Sequence, residues 1–309
     1  MPTAIGLRFY KLVPRRLRDR DKEVVDPAEL RVPLQPFLRQ FVDDQTAEGA
    51  VSDKAKERSF YFEPLEPYAP YSVRGLVRYG TFGFESRIKN PKSKKAAYNR
   101  AADDVEEIPL YFDIWCPPSA DFALVSLQSF GVRSCVHLLV NEMQKQFEAI
   151  NPGYRLHSIK LMGNDSPRSL FADAPVKKLI LVRHDAYSDK FSSYRAGKPP
   201  TAIDMEVTYK AKRGASLGTL RDMGSSFSEN DTGVILFDGG EFDVATAEVM
   251  IGNRRRPIGI IGPNSDTGSI DISQSVIYAP SGHPTFDSVK AQSNAIMQDF
   301  YQRLIRARG

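Results

Sequence analysis

Cysteine is scarce in this 309-residue chain: Cys116 and Cys135 stand alone, and no CxxC occurs. A disulfide framework and a cysteine-built zinc site are therefore unsupported, and a reducing cytosol is the expected compartment. Long apolar runs are missing as well. No stretch reaches the length of about 20 residues that a bilayer-crossing helix needs, so no membrane partner is expected. The opening MPTAIGLRFYKLVPRR alternates like a strand instead of placing a long apolar region after a charged one. Histidine is limited to His137, His157, His184 and His283, with no HxH, HxxxH or HExxH spacing, which leaves a histidine-built metal centre without support. GIIGPNSDTGS at 259–269 has glycines but neither GxxxxGK[ST] nor GxGxxG spacing. Ser126, Ser129 and Ser134 sit in no G-x-S-x-G elbow, so a hydrolase triad is not indicated.

Forty-one per cent apolar and 10% aromatic residues are enough to build a core. The clearest architecture lies at 108–162. IPLYFDIWCPP and DFALVSLQSFG read as apolar strands, RSCVHLLVNEMQKQFEAINPG as an amphipathic helix, and YRLHSIKLM as a third strand. Val136, Leu139, Val140, Met143, Phe147 and Ile150 fall on one helical stripe, with Ser134 placed to cap the amides and Pro152-Gly153 to stop the helix. A second stripe, Phe286, Val289, Ile296, Met297, Phe300 and Leu304, follows a credible N-cap at Thr285. Pro33 and Pro36 are expected to break 26–42 into short helical pieces.

Strands are expected at SFYFE, SVRGLVRYGTFGF, PVKKLILVRHDAY, TAIDMEVTYKAKR, GVILFDGG and SIDISQSVIY. FDVATAEVMI and RRRPIGIIG should pair across a Gly252-Asn253 turn. The expected class is α+β, an antiparallel-rich mixed sheet with two principal amphipathic helices at about 134–150 and 285–306. Length favours two halves, 1–165 and 166–309 with a polar connector between them, and one continuous domain is the alternative.

The net charge of +4 says little, but its distribution says more. Basic residues gather at 8–22, at 87–100 without a single acid, at 210–221 and at 254–256. Clustered cations raise the potential where a polyanion would sit. The candidate nucleic-acid contacts are Arg15, Arg16, Lys92, Lys94, Lys95, Lys210, Lys212, Arg213, Arg254, Arg255 and Arg256. Tyr10, Tyr79, Phe82, Tyr98 and Tyr209 are placed to stack on bases. The ordinary meaning of a charge run, a solvated face, stands against this for each segment alone.

Two other functions remain open. Asp204, Glu206 and Lys210 on the wet face of one strand would suit a metal-dependent nuclease, with Asp185, Asp238 and Glu241 completing the site and Mg²⁺ as its cofactor. The spacing of four between Glu206 and Lys210 counts against the restriction-type layout. His184-Asp185 would make a base and its orienting carboxylate, but neighbours on a strand point to opposite faces. The other function is an oligomerising adaptor whose basic segments meet an acidic partner or a second copy.

QFEAINPGYRLHSIKLM, PVKKLILVRHDAYSD and GHPTFDS resemble a family of uncharacterised bacterial proteins found around mobile elements and phage-defence loci. The resemblance implies a cytosolic accessory protein of bacterial defence and assigns no catalytic residues. The combined expectation is a non-enzymatic subunit that binds DNA or RNA through basic loops, without a cofactor, beside a protein effector.

Overall fold

The computed structural model describes residues 4–17, 25–66, 71–90, 92–118, 120–131, 133–162, 173–184, 204–226, 228–229, 235–237, 240–251, 254–261 and 269–306. Its first half runs β1 (Ile5–Arg16), α1 (Leu34–Asp44), β2 (Val51–Asp53), β3 (Arg58–Pro64), β4 (Ser72–Thr81), β5 (Ser86–Lys89), β6 (Ala96–Arg100), β7 (Glu106–Trp115), β8 (Ala123–Phe130), α2 (Val136–Ile150) and β9 (Tyr154–Lys160). The second half runs β10 (Val176–Arg183), β11 (Met205–Lys210), α3 (Leu220–Ser226), β12 (Ser228–Glu229), β13 (Ile235–Phe237), β14 (Gly240–Phe242), β15 (Val244–Ile251), β16 (Arg254–Ile261), β17 (Ser269–Asp271) and α4 (Phe286–Arg306).

One sheet of twelve strands organises these elements, in the order β11-β10-β15-β16-β17-β1-β8-β7-β4-β3-β2, with β9 also on β1. Every strand pairing among the described residues is antiparallel, so the parallel component expected of a mixed sheet is not found there. Pairing also crosses the boundary expected at 165/166. β17 pairs with β1 from Gly6↔Asp271 to Arg8↔Ser269, and α4 lays Phe286 against Tyr111 of β7.

Alternation along β1 explains how both faces are buried. Ile5, Leu7, Phe9 and Val13 enter one core, under α4, with Leu179, Leu181, Ala247, Ile258, Ile296 and Phe300. Tyr10 and Leu12 enter the other, under α1 and α2, with Phe37, Phe41, Phe62, Phe112, Val136 and Phe147. The second core is held by edge-to-face rings, Phe37 to Phe147 at 5.1 Å and Phe62 to Phe112 at 4.7 Å. Each such ring contributes about 2–3 kcal/mol of apolar burial.

The helix expectation is corrected at its proline-rich segment. Pro33 occupies the N-cap of α1 and Pro36 its first turn, where backbone amides have no intrahelical acceptor to lose, so an 11-residue helix forms. With the short α3, the described residues hold four helices where two principal ones were expected. SIDISQSVIY is also shorter as a strand than expected. Asp271 accepts from the Ser273 amide at 2.8 Å and its hydroxyl at 2.6 Å, which turns the chain out of the sheet after Asp271. The β15–β16 pairing appears as expected, from Ala245↔Ile261 to Ile251↔Arg254, while its two turn residues lie outside the described ones.

Candidate nucleic-acid interface

Between β4 and β7, which pair from Ser72↔Trp115 to Thr81↔Glu106, the chain leaves the sheet and returns as a separate two-stranded ribbon, β5–β6. Asn90 shapes its tip. The Asn90 side-chain oxygen accepts from the Lys92 and Ser93 amides at 2.9 and 3.1 Å, its carbonyl accepts from Lys94 N–H at 2.8 Å, and Lys94 takes a left-handed φ of 58°.

Arg100 fixes the root. At 5% exposure it donates to the Asp104 carbonyl at 3.1 Å and to the Thr81 carbonyl, meets Glu106 at 3.5 Å, and lies 4.4 Å from the Phe84 ring centre. This arginine is thus withdrawn from any ligand.

The remaining ribbon cations are not withdrawn. Arg87, Lys89, Lys92, Lys94 and Lys95 are all exposed, and none forms an ion pair among the described residues. Of the acids that follow in sequence, Asp103 is exposed and the other three have partners other than these five cations. Tyr98 O–H and the Ala101 amide donate to Asp104, holding its carboxyl below the usual range, and Glu106 takes Arg133 at 2.7 Å. Glu107 accepts from Tyr61 O–H at 3.1 Å. Between the cations sits an apolar cross-strand pair, Ile88↔Tyr98, with the two side chains 52% and 51% exposed.

The other predicted contacts divide by position. Following the antiparallel register outward from β1, the C-terminal end of β11, the N-terminal end of β16 and the β4/β7 end that carries the ribbon all lie at the same end of the strands. Lys210, Lys212 and Arg213 are exposed there, as is Arg255, and Arg254 opens β16. β11 lies three strand steps from β16, about 14 Å, and β16 five from β4, about 24 Å, with the sheet's twist turning each step by roughly 20°.

Arg15 and Arg16 end β1 at the opposite end of the strands. Arg16 pairs with Glu29, which also accepts from Tyr154 O–H at 3.0 Å, and Arg15 stands opposite Arg155 of β9. These two are therefore a separate patch. Arg256 is corrected outright: in phase with Ile258 and Ile260, it points into the core under α4, is 8% exposed and faces Asp299 at 3.7 Å. Of the five proposed stacking rings, Tyr10 and Tyr79 are core residues, Tyr209 packs on Phe237 at 5.6 Å and Phe82 is half-buried. Tyr98 is exposed on the ribbon.

The acidic set of β11 does not converge. Six extended residues separate Asp204 from Lys210, about 20 Å, and Glu206 bonds Thr208 at 3.2 Å. His184 meets two acids among the described residues: Nδ1 lies 3.2 Å from Asp204, and its backbone amide donates to Asp243 at 2.6 Å. Asp185 and Asp238 lie outside the described residues, among which no group of three or more metal-ligating side chains gathers.

One polar cluster went unpredicted. Asp113 on β7 is fully buried beneath α4, accepts from Tyr111 O–H at 3.1 Å and faces Arg74 at 3.5 Å. Burial pushes its carboxyl up to about 6, against the pull of Arg74. Arg74 also meets Glu66 at 3.8 Å, and Glu66 pairs with Lys290 of α4. The signal was present as a lone acid inside the apolar run IPLYFDIW. Burial likewise pushes the Cys116 and Cys135 thiols up to about 12, which removes them as thiolate nucleophiles. No protein-family model matches the chain, nor does any curated protein.

Proposed function

We propose that this chain binds nucleic acid through the β5–β6 ribbon and serves as an accessory subunit with no chemistry of its own. The observation that carries the proposal is the set of five exposed cations, Arg87, Lys89, Lys92, Lys94 and Lys95, on a ribbon of 86–100 that contains no acid. Five like charges on a short hairpin repel one another, a cost that a neutral surface would not carry and that phosphates relieve by releasing counterions. A two-stranded ribbon has the width that a B-DNA major groove admits. The exposed Tyr98 face adds a stacking platform for an unpaired base. The setting that accompanies this proposal, bacterial phage defence beside a protein effector, follows from the resemblance of the second half.

A fluorescence-polarisation titration at low salt with single-stranded and duplex DNA and RNA tests it. The full chain should bind at least one probe, and Lys92→Ala with Lys94→Ala and Lys95→Ala should weaken that binding at least about tenfold. Because all three lysines are exposed, the unfolding midpoint should not move. Absence of binding by the full chain, or equal affinity in the triple variant, removes the proposal.

A further inference from the structure

A second site is built at the other end of β4, away from the ribbon. Here β4 and β7 form a floor through the register pairs Ser72↔Trp115 and Arg74↔Asp113. One face of α4 forms the wall, through Asn294, Met297 and Gln298 at spacings of three and four. Together with Tyr71 at the rim they enclose a groove of about 230 Å³. That is below the roughly 300–1,000 Å³ of sites for drug-sized ligands, so one ring system fills it.

The lining specifies what kind of ring. Trp115 is held edge-to-face on Tyr301 at 4.9 Å, which sets an indole as a platform in the floor. Asn294 and Gln298 carry primary amides with no hydrogen-bond partner within the protein among the described residues. Each amide offers two donors and an acceptor, the combination that reads base edges. Electrostatics argues against an anion. Arg74 is shared between Asp113 at 3.5 Å and Glu66 at 3.8 Å, and Lys290 between Glu66 and Asp287. Two cations thus face three carboxylates, and a phosphate gains nothing by entering.

From these observations we infer that the groove binds a single unpaired nucleobase, stacked near Trp115 and hydrogen-bonded by Asn294 and Gln298. The inference does not depend on the ribbon. A free nucleoside and a base carried by a single strand share the chemistry, and the test separates them.

Trp115 is the chain's only tryptophan, so its emission reports this groove alone. Adenosine, guanosine, cytidine and uridine are titrated in one arm and single-stranded homo-oligomers in the other. Saturable quenching by at least one nucleoside identifies a free ligand, and quenching by oligomers alone identifies a strand-borne base. Either result supports the inference. Asn294→Ala and Gln298→Ala, singly and together, should raise the half-quenching concentration, the pair about tenfold. Gln298 is exposed, so its single variant remains folded as judged by its unfolding temperature. The ribbon triple variant should quench with nucleosides as the unaltered chain does, which keeps the two sites distinguishable. No quenching at millimolar ligand, or quenching that the double amide variant leaves unchanged, overturns the inference.

Discussion

Asp113 shows what a single acid does when folding removes its water. Its ordinary value of 3.8 rises to about 6 because desolvation outweighs the attraction of Arg74. Below pH 3.8 folded and unfolded chains both hold this proton; between 3.8 and 6 only the folded chain does; above 6 neither does. Stability contributed at this position therefore falls as pH rises through that window, by on the order of 3 kcal/mol in total. Asp113→Asn removes the titration. The difference in unfolding free energy, variant minus unaltered chain, should grow from pH 4 to pH 6 in denaturant melts, and parallel curves would contradict the assignment. The two arginines of RRRPIGII that adjoin its proline illustrate what was legible at this scale. The period of two set by Ile258 and Ile260 sends Arg256 inward and Arg255 outward, a signal that the reading of all three arginines as nucleic-acid contacts missed. Its partner Asp299 was not legible, because it lies on a helix 43 residues further on and only the packing of α4 brings it to 3.7 Å.

Among the elements, the ribbon depends on Arg100 as much as on its own pairing. Two strands alone are marginal in water, and the Arg100 bonds to two carbonyls join β5–β6 to the end of β4 and to the turn before β7. Arg100→Ala should cost on the order of 2 kcal/mol. In hydrogen exchange the loss should appear as faster exchange at 86–100 with little change in β7 and β8; uniform acceleration across the sheet would contradict a local anchor. The sequence located the basic segment at 87–100 but not the separate ribbon it forms, since charge pattern alone does not show that Arg100 is turned back to seal the root. It also broke α1 at its prolines. That expectation failed because a proline's cost depends on its position in the helix, and the start of α1 is set by packing Phe37 and Phe41 on Phe147 and Phe62. By contrast α2 and α4 were readable from their stripes, of which all but Ile150 and Phe286 are buried.

For the whole molecule, β1 joins the two halves of the chain, and at Gly6 its neighbours leave no room for a side chain. A Cβ at Gly6 would lie 2.0 Å from the Ser269 hydroxyl oxygen of β17 and 2.7 Å from that of Ser129 of β8. Gly6→Ala should destabilise the fold by about 1–3 kcal/mol, and adding Ser269→Gly should recover part of it in the same thermal melt. No recovery would mean that the crowding is not at β17. Long-range pairing of this kind was beyond sequence reading, which favoured halves at 1–165 and 166–309 with one continuous domain as the alternative. It also decides which basic segments belong together: β11, β16 and the ribbon share one end of the strands, and Arg15–Arg16 the other. The most direct test of the central claim is the salt dependence of binding. With five ribbon cations on phosphates, log affinity should fall against log salt with a slope of about −4 to −5 on duplex or about −3 to −4 on single strands. Replacing Lys92, Lys94 and Lys95 by alanine should reduce that slope by about 2–3, while replacing Lys210, Lys212 and Arg213 should change it by less than about 1. Equal slopes for the unaltered chain and the ribbon variant would contradict the account.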